Sequence, residues 1–231
     1  MISSIRHKPV LDPEKFRMGV EVIGCGAVGS KIASELGKMG INQVRVSDGD
    51  VIEEQNVANQ NFAITDVGKP KADALKEWVK RHTGIEYTSV AEFIKEPKTF
   101  YPIVFVTTDT MKSRKDIWEQ SIRLKPHVRL MIETRMHISE GRVYAVDPCN
   151  PEHIKAWEST LRDDADTSDA VDPVCGLPIS IGATAAFTAS LAVWQLIRWN
   201  KYAQGKAPRG PEYETIYSLD PPQFVTRSLG G

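Results

Sequence analysis

VEVIGCGAVGS (Val20–Ser30), VRVSDGDVIEEQNVANQ (Val44–Gln60) and DVGKPKA (Asp66–Ala72) follow one another in a single stretch of this chain. The first piece is an apolar run that breaks into a Gly-x-Gly-x-x-Gly turn at Gly24, Gly26 and Gly29. A short apolar run bounded by glycine reads as a buried strand, and the residues after it carry helical spacing at Ile32, Leu36 and Met39, with Gly40 as the stop. Strand, glycine turn and helix place backbone N–H groups where a phosphate can approach. The second piece is another strand, ending at Asp48. A carboxylate about 20 residues past such a turn can hold ribose hydroxyls. To this point a dinucleotide and ATP fit equally well.

The residues that follow separate the two. Asn56, Gln60, Lys69 and Lys71 form a polar and cationic set. A pyrophosphate at a helix N-terminus needs little added charge, whereas a triphosphate needs cations around its outer phosphates. VFVTTDT (Val104–Thr110) then sets Asp109 at a strand tip. A carboxylate aimed at phosphates repels them unless a cation lies between. Magnesium is the natural bridge, because it binds through one or two carboxylates plus phosphate oxygens. The combination suggests nucleotidyl transfer from ATP.

Outward from this core the chain continues to alternate. Strands are expected at Ile85–Val90, Ile103–Val106, Leu130–Thr134, Gly141–Val146, Glu214–Leu219 and Phe224–Arg227, the last two a hairpin turned at Pro221-Pro222. Helices are expected from Pro70 to about Arg81, near Glu92, over Thr110–Leu124, around His153–Leu161, and along the apolar run Ile179–Trp199. This order predicts a Rossmann-like, doubly wound α/β sheet, parallel in its first half, with mixed or antiparallel later strands. Ligands of such sheets sit beyond the carboxyl ends of the strands, where Asp48 and Asp109 fall.

Composition narrows the function classes. The chain has 231 residues, 29 basic and 30 acidic. The near-neutral balance argues against nucleic acid as the main partner. The run 179–199 is interrupted by polar residues and reads as a core helix, so no membrane span is expected. The N-terminus shows no apolar signal region. Three cysteines (Cys25, Cys149, Cys175) without a C-x-x-C pair fit the cytoplasm and rule out a four-cysteine zinc site within one chain.

Five ordered motifs resemble the ThiF/MoeB/ubiquitin-activating family of adenylating enzymes: GCGAVGS, VSDGDVIEEQNVANQ, DVGKPKADAL, VTTDTMKSR and ETIYSLDPPQF. The resemblance runs from about Val20 to Phe224. It implies an ATP-dependent adenylyltransferase that activates the C-terminal carboxylate of a small ubiquitin-like or sulfur-carrier-like protein, usually one ending in Gly-Gly, as an acyl-adenylate. It implies one adenylation domain over 1–231, with an N-terminal arm (1–18), a crossover loop (149–177) and closing strands (213–228), and a homodimer. Carried onto this chain, Gly24, Gly26 and Gly29 form the phosphate turn and Asp48 binds the ribose. Asp50 belongs to the acidic segment that follows, Asn56 and Gln60 line the phosphates, Lys71 stabilises the leaving pyrophosphate, and Asp109 holds magnesium. Arg114 fixes the local loop. The family arginine of Asn-Leu-x-Arg-Gln is Asn59 here, which removes one fixed cation from the phosphates. No zinc is expected. Cys175, before the apolar helix, and Cys149, with His153 four residues on, are candidate acceptors of the activated acyl group. Two other readings stay open: a non-catalytic nucleotide-binding relative serving as a scaffold or the inactive half of a heterodimer, and an NAD-dependent Rossmann oxidoreductase.

Overall fold

The computed structural model describes residues 3–162 and 179–229. Among them one eight-stranded sheet runs in the order β3-β2-β1-β4-β5-β6-β7-β8. β1 (Val20–Ile23), β2 (Val44–Ser47), β3 (Thr88–Val90), β4 (Ile103–Val106) and β5 (Leu130–Met136) are parallel. β6 (Glu140–Val146), β7 (Glu214–Leu219) and β8 (Pro222–Arg227) continue the sheet antiparallel. The expected architecture is therefore the observed one.

β1 and β4 are buried at every position, because helices cover both faces of the parallel half. One core joins Val20, Val22, Phe105 and Ile132 to α1 (Ala27–Lys38), α2 (Lys71–Thr83) and α5 (Gly182–Ala203). The other joins Val104, Val106 and Met131 to α3 (Met111–Ile117) and α4 (Pro151–Glu158). A charged pair pins the β1–β2 register within this apolar surround. Glu21 is fully buried and lies opposite Arg45, whose Nε donates to both carboxylate oxygens at 2.8 and 2.9 Å.

Several boundaries differ from expectation. No helix forms near Glu92; residues 91–102 are irregular, with Phe93 lying over Gly49. Only Thr88–Val90 of the expected strand 85–90 pairs, although Ile85 and Tyr87 are buried. The helix expected over 110–124 is α only to Ile117, and a π-type turn over Trp118–Ile122 ends it ahead of Leu124, which has φ +54. Pro70 caps α2 rather than opening it. The β7–β8 hairpin turns at Asp220-Pro221, and Pro222 begins β8, an edge position that tolerates a missing N–H.

Candidate functional site

The chain order reverses between β1 and β4: from β1 it steps outward to β2 and β3, then returns to β4 on the other side. The carboxyl ends of these strands diverge there, which opens the crevice where such sheets bind ligands. A cleft of about 1190 Å³ occupies this position. Gly24, Gly26, Asp48, Asp50, Asn56, Asn59, Gln60, Lys71 and Asp109 all line it.

The turn at its floor is built by close approach. Gly24 has φ +91, and its carbonyl accepts from Thr107 Oγ1 at 2.8 Å, so the turn is tied to the end of β4. A Cβ at Gly29 would run into the Gly24 carbonyl, which makes Gly29 a packing residue; it does not line the cleft. A Cβ at Gly26 would meet nothing within 4 Å. Gly26 caps α1 without a side-chain hydrogen bond, and the first turn of α1 carries no acidic residue. Its leading N–H groups therefore have no side-chain acceptor and suit an anion.

Asp48 shapes the rim. Its Oδ2 accepts from Cys25 N at 2.6 Å and its Oδ1 from Asp50 N at 2.8 Å. Burial pushes its carboxyl above the usual carboxylate range, against those two N–H groups and the charge of Lys71. Cys25 is fully buried behind the turn, and burial together with Asp48 raises its thiol, so it stays a neutral packing group.

The loop after β2 folds back on the start of α2. Lys71 N donates to Asp50 O, Ile52 N to Lys69 O and Gly68 N to Ile52 O. This pairing sets Lys71 at the first position of α2, where its side chain is 10% exposed and its Nζ lies 2.9 Å from Asp50 Oδ2. Lys69 takes no part in the cleft; it pairs with Asp66 at 2.9 Å and Glu77 at 3.3 Å. Asn56 Oδ1 accepts from Glu53 N and closes the short 3-10 turn that carries it.

Opposite, the loop after β4 presents Asp109, exposed at the cleft edge. Arg114 holds that loop. Its guanidinium donates to the carbonyls of Thr108, Asp109 (3.4 Å) and Thr134 (3.2 Å), and its Nε lies 2.9 Å from buried Glu133. Among the described residues no set of three metal-binding side chains occurs. Asp109 instead offers the single-carboxylate arrangement that magnesium completes with phosphate oxygens and water. Four buried oxygens at the cleft have no hydrogen-bond partner among the described residues: Asn59 Oδ1, Gln60 Oε1, Thr108 Oγ1 and Ser180 Oγ. Such groups cost free energy unless a ligand or water engages them. The residues present thus fit a polyphosphate nucleotide with magnesium.

Cys149 is exposed at the turn between β6 and α4 and does not line the cleft. Cys175, the acidic run 163–169 and the terminal Gly-Gly fall outside the described residues. Sequence reasoning missed Phe93 and Ile94, which line the cleft beside Gly49, and the arginines at its far end, Arg135, Arg142 and Arg162. No local signal marked Phe93, whose exposure and place over Gly49 belong to the fold.

Comparison with solved structures gives the same fold. MccB of E. coli, crystallised with AMPCPP and MccA, superposes with a TM-score of 0.69 at 19% identity, over 96% of this chain and 67% of MccB. PaaA superposes at 0.67 and 18% identity, over 92% of this chain and 64% of PaaA. A shorter match joins the chain to the uncharacterized protein y4qC of Sinorhizobium fredii (strain NBRC 101917 / NGR234), 35% identical over 71 residues, which is 31% of this chain and 12% of y4qC. The chain thus spans about two thirds of MccB and PaaA and a small part of y4qC. A model described as the ThiF family matches residues 14–227, from the N-terminal arm to the end of β8, and the chain belongs to that family.

Proposed function

We propose that this chain is an ATP-dependent adenylyltransferase that activates the C-terminal carboxylate of a small ubiquitin-like or sulfur-carrier-like polypeptide. The observation that carries the reading is the convergence of three features on one cleft: the uncapped start of α1, Lys71 and Asp109. Membership of the ThiF family supports adenylyltransferase-type chemistry. In this reading the phosphates lie against the first turn of α1. Asp48 would accept from the ribose, and Asp109 would hold magnesium, which would supply charge neutralisation for the phosphates. A tail carboxylate oxygen attacks the α-phosphorus, the bond from the α-phosphorus to its bridging oxygen breaks, and pyrophosphate leaves as an acyl-adenylate forms. Lys71 neutralises charge that grows on the leaving group, a contribution of about 2.7–4 kcal/mol for one well-placed donor.

An identical partner completes the proposal. Phe187, Trp194 and Tyr202 recur along α5 and are exposed, an apolar stripe that a second copy would cover. The free thiol of Cys149 suits the reducing cytoplasm. A second reading, nucleotide binding without turnover, draws on Asn59, whose amide oxygen is buried without a partner where the family carries an arginine.

Calorimetric titration tests the nucleotide assignment. ATP with magnesium binds and NAD does not, and Asp109→Ala removes the magnesium dependence. Binding of NAD in preference to ATP would overturn it.

A further inference from the structure

The cleft sorts its charges. Its nucleotide end carries Asp48, Asp50 and Asp109 beside Lys71 and Arg114, whereas its far end, over β5 and β6, carries Arg135, Arg142 and Arg162 against the single carboxylate of Glu140. Arg135 and Arg142 are direct partners across the antiparallel β5–β6 ladder. Residues so placed have Cβ atoms about 4.5–5.5 Å apart, and like charges there are destabilising. The fold tolerates the pair by holding each guanidinium on a buried carboxylate. Arg135 Nε lies 3.0 Å from Glu133 Oε2, and Arg142 NH1 lies 3.3 Å from Glu214 Oε1. Glu133 is fully buried, and Glu214, whose side chain is 3% exposed, also takes Arg227 at 3.1 Å.

The guanidiniums are held but not exhausted. Arg135 also donates to Thr160 O at 3.0 Å and Thr160 Oγ1 at 2.9 Å, and it stacks over Tyr144. Three of its five N–H groups are thereby used. Arg142 gives one N–H to Glu214 and also engages the Tyr144 hydroxyl, and its side chain is 48% exposed. An arginine anchored on a buried carboxylate and half-exposed in the cleft lining, as Arg142 is, suits a planar carboxylate in fork geometry, with Arg135, 15% exposed, beside it.

We propose that the Arg135–Arg142 end of the cleft is a specificity site for an acidic side chain, aspartate or glutamate, in the C-terminal tail of the polypeptide substrate. The inference rests on the acyl-adenylate reading, which places the tail's last carboxylate beside the nucleotide and lays the preceding residues over β5 and β6. A tail with lysine or arginine there is repelled, and a neutral tail forgoes the charge-assisted hydrogen bonds.

The test uses the whole chain with ATP and magnesium and fluorescein-labelled glycine–serine octapeptides carrying Asp, Asn or Lys two residues before a free C-terminus. Anisotropy is expected to give the Asp peptide a Kd about tenfold below that of the Asn peptide, with Lys the weakest. Arg142→Gln removes the difference and leaves ATP affinity unchanged. Arg142→Lys, which keeps the charge and the support of Glu214, retains part of it, and Arg142→Glu reverses the preference toward Lys. Equal affinities for the three peptides overturn the inference, as does an Arg142→Gln variant that weakens ATP instead, since the arginine would then serve the phosphates. Pyrophosphate exchange with the same peptides is scored separately. Its absence with every peptide sinks the adenylation reading, whereas the charge preference stands or falls on anisotropy.

Discussion

Lys71 and Asp50 are clasped twice. The Lys71 backbone N–H donates to the Asp50 carbonyl at 2.9 Å, and the Lys71 ammonium meets the Asp50 carboxylate at 2.9 Å. The first bond fixes where α2 begins, and the second aims its leading side chain across the cleft. Asp50 is 51% exposed, so the ion pair is screened and contributes about 0–1 kcal/mol. Lys71→Met is therefore expected to lower stability by less than about 1 kcal/mol and adenylation by about 10²–10³-fold. Thermal melts and pyrophosphate release, measured side by side, separate the two effects. Parallel losses would make Lys71 a structural residue.

Gly26 and Gly29 predict opposite phenotypes from the same substitution. Gly29→Ala drives a methyl group into the Gly24 carbonyl and destabilises by about 1–3 kcal/mol. Gly26→Ala meets open space, leaves the melting temperature nearly unchanged, and fills the place where phosphate would lie. Denaturation and ATP titration of the two variants check this. A stable Gly26→Ala with full ATP affinity would move the phosphates elsewhere.

Arg114 is expected to be costly to remove. Arg114→Met withdraws a cation from fully buried Glu133 and releases the carbonyls of Thr108 and Asp109. Breaking such a buried pair costs about 3–5 kcal/mol; Arg135 and Trp157 still engage Glu133, so about 2–4 kcal/mol is expected here. At about 2–4 °C per kcal/mol for a chain of this size, calorimetry resolves the change. A melt within about 1 kcal/mol of the unsubstituted protein would show that the loop holds without it.

Asp48 couples pH to stability and to binding with opposite signs. Its folded pKa lies above the unfolded value of about 3.9, because burial disfavours the charged form. Its contribution to stability is complete below the unfolded value and is lost as pH rises through the folded one. Nucleotide affinity rises over the same window, because the ribose hydroxyls need an ionised acceptor. Melting temperatures and ATP titrations as pH rises from the unfolded value of about 3.9 should show both slopes, and Asp48→Asn should reduce both. Unchanged slopes in that variant would assign the pH dependence to another group.

Much of the fold was legible because its signals are local. β1, β2, β4 and β7 occur at the residues their apolar runs marked, and α1 starts at Ala27 behind the glycine turn. Gly24, Gly26, Asp48 and Asp109 were legible in the cleft for the same reason, since each lies just past a strand end, whereas Asn56, Asn59, Gln60 and Lys71 lie in the loop after β2 and at the start of α2. Residues 91–102 were not legible, because Phe93 is positioned by packing on Gly49 rather than by its own segment. The turn at Trp118–Ile122 was hidden too, since the apolar spacing of Ile117, Trp118 and Ile122 suits a continuing helix and the tilted Trp118–Trp157 contact is tertiary. The Arg135–Arg142 pairing depends on register between two strands. The one clue lay in the hairpin itself, where the two residues sit symmetrically about Ile138 and Ser139.

Pyrophosphate release is the most direct test of carboxylate adenylation. The protein, ATP and magnesium would be mixed with a tail peptide as the free acid and, in parallel, with its C-terminal amide. The acidic tail inferred above is the peptide to use. Release is expected with the free acid, none with the amide, and none with either for Asp109→Ala. Equal release with acid and amide, or release unaffected by the loss of Asp109, would contradict carboxylate adenylation.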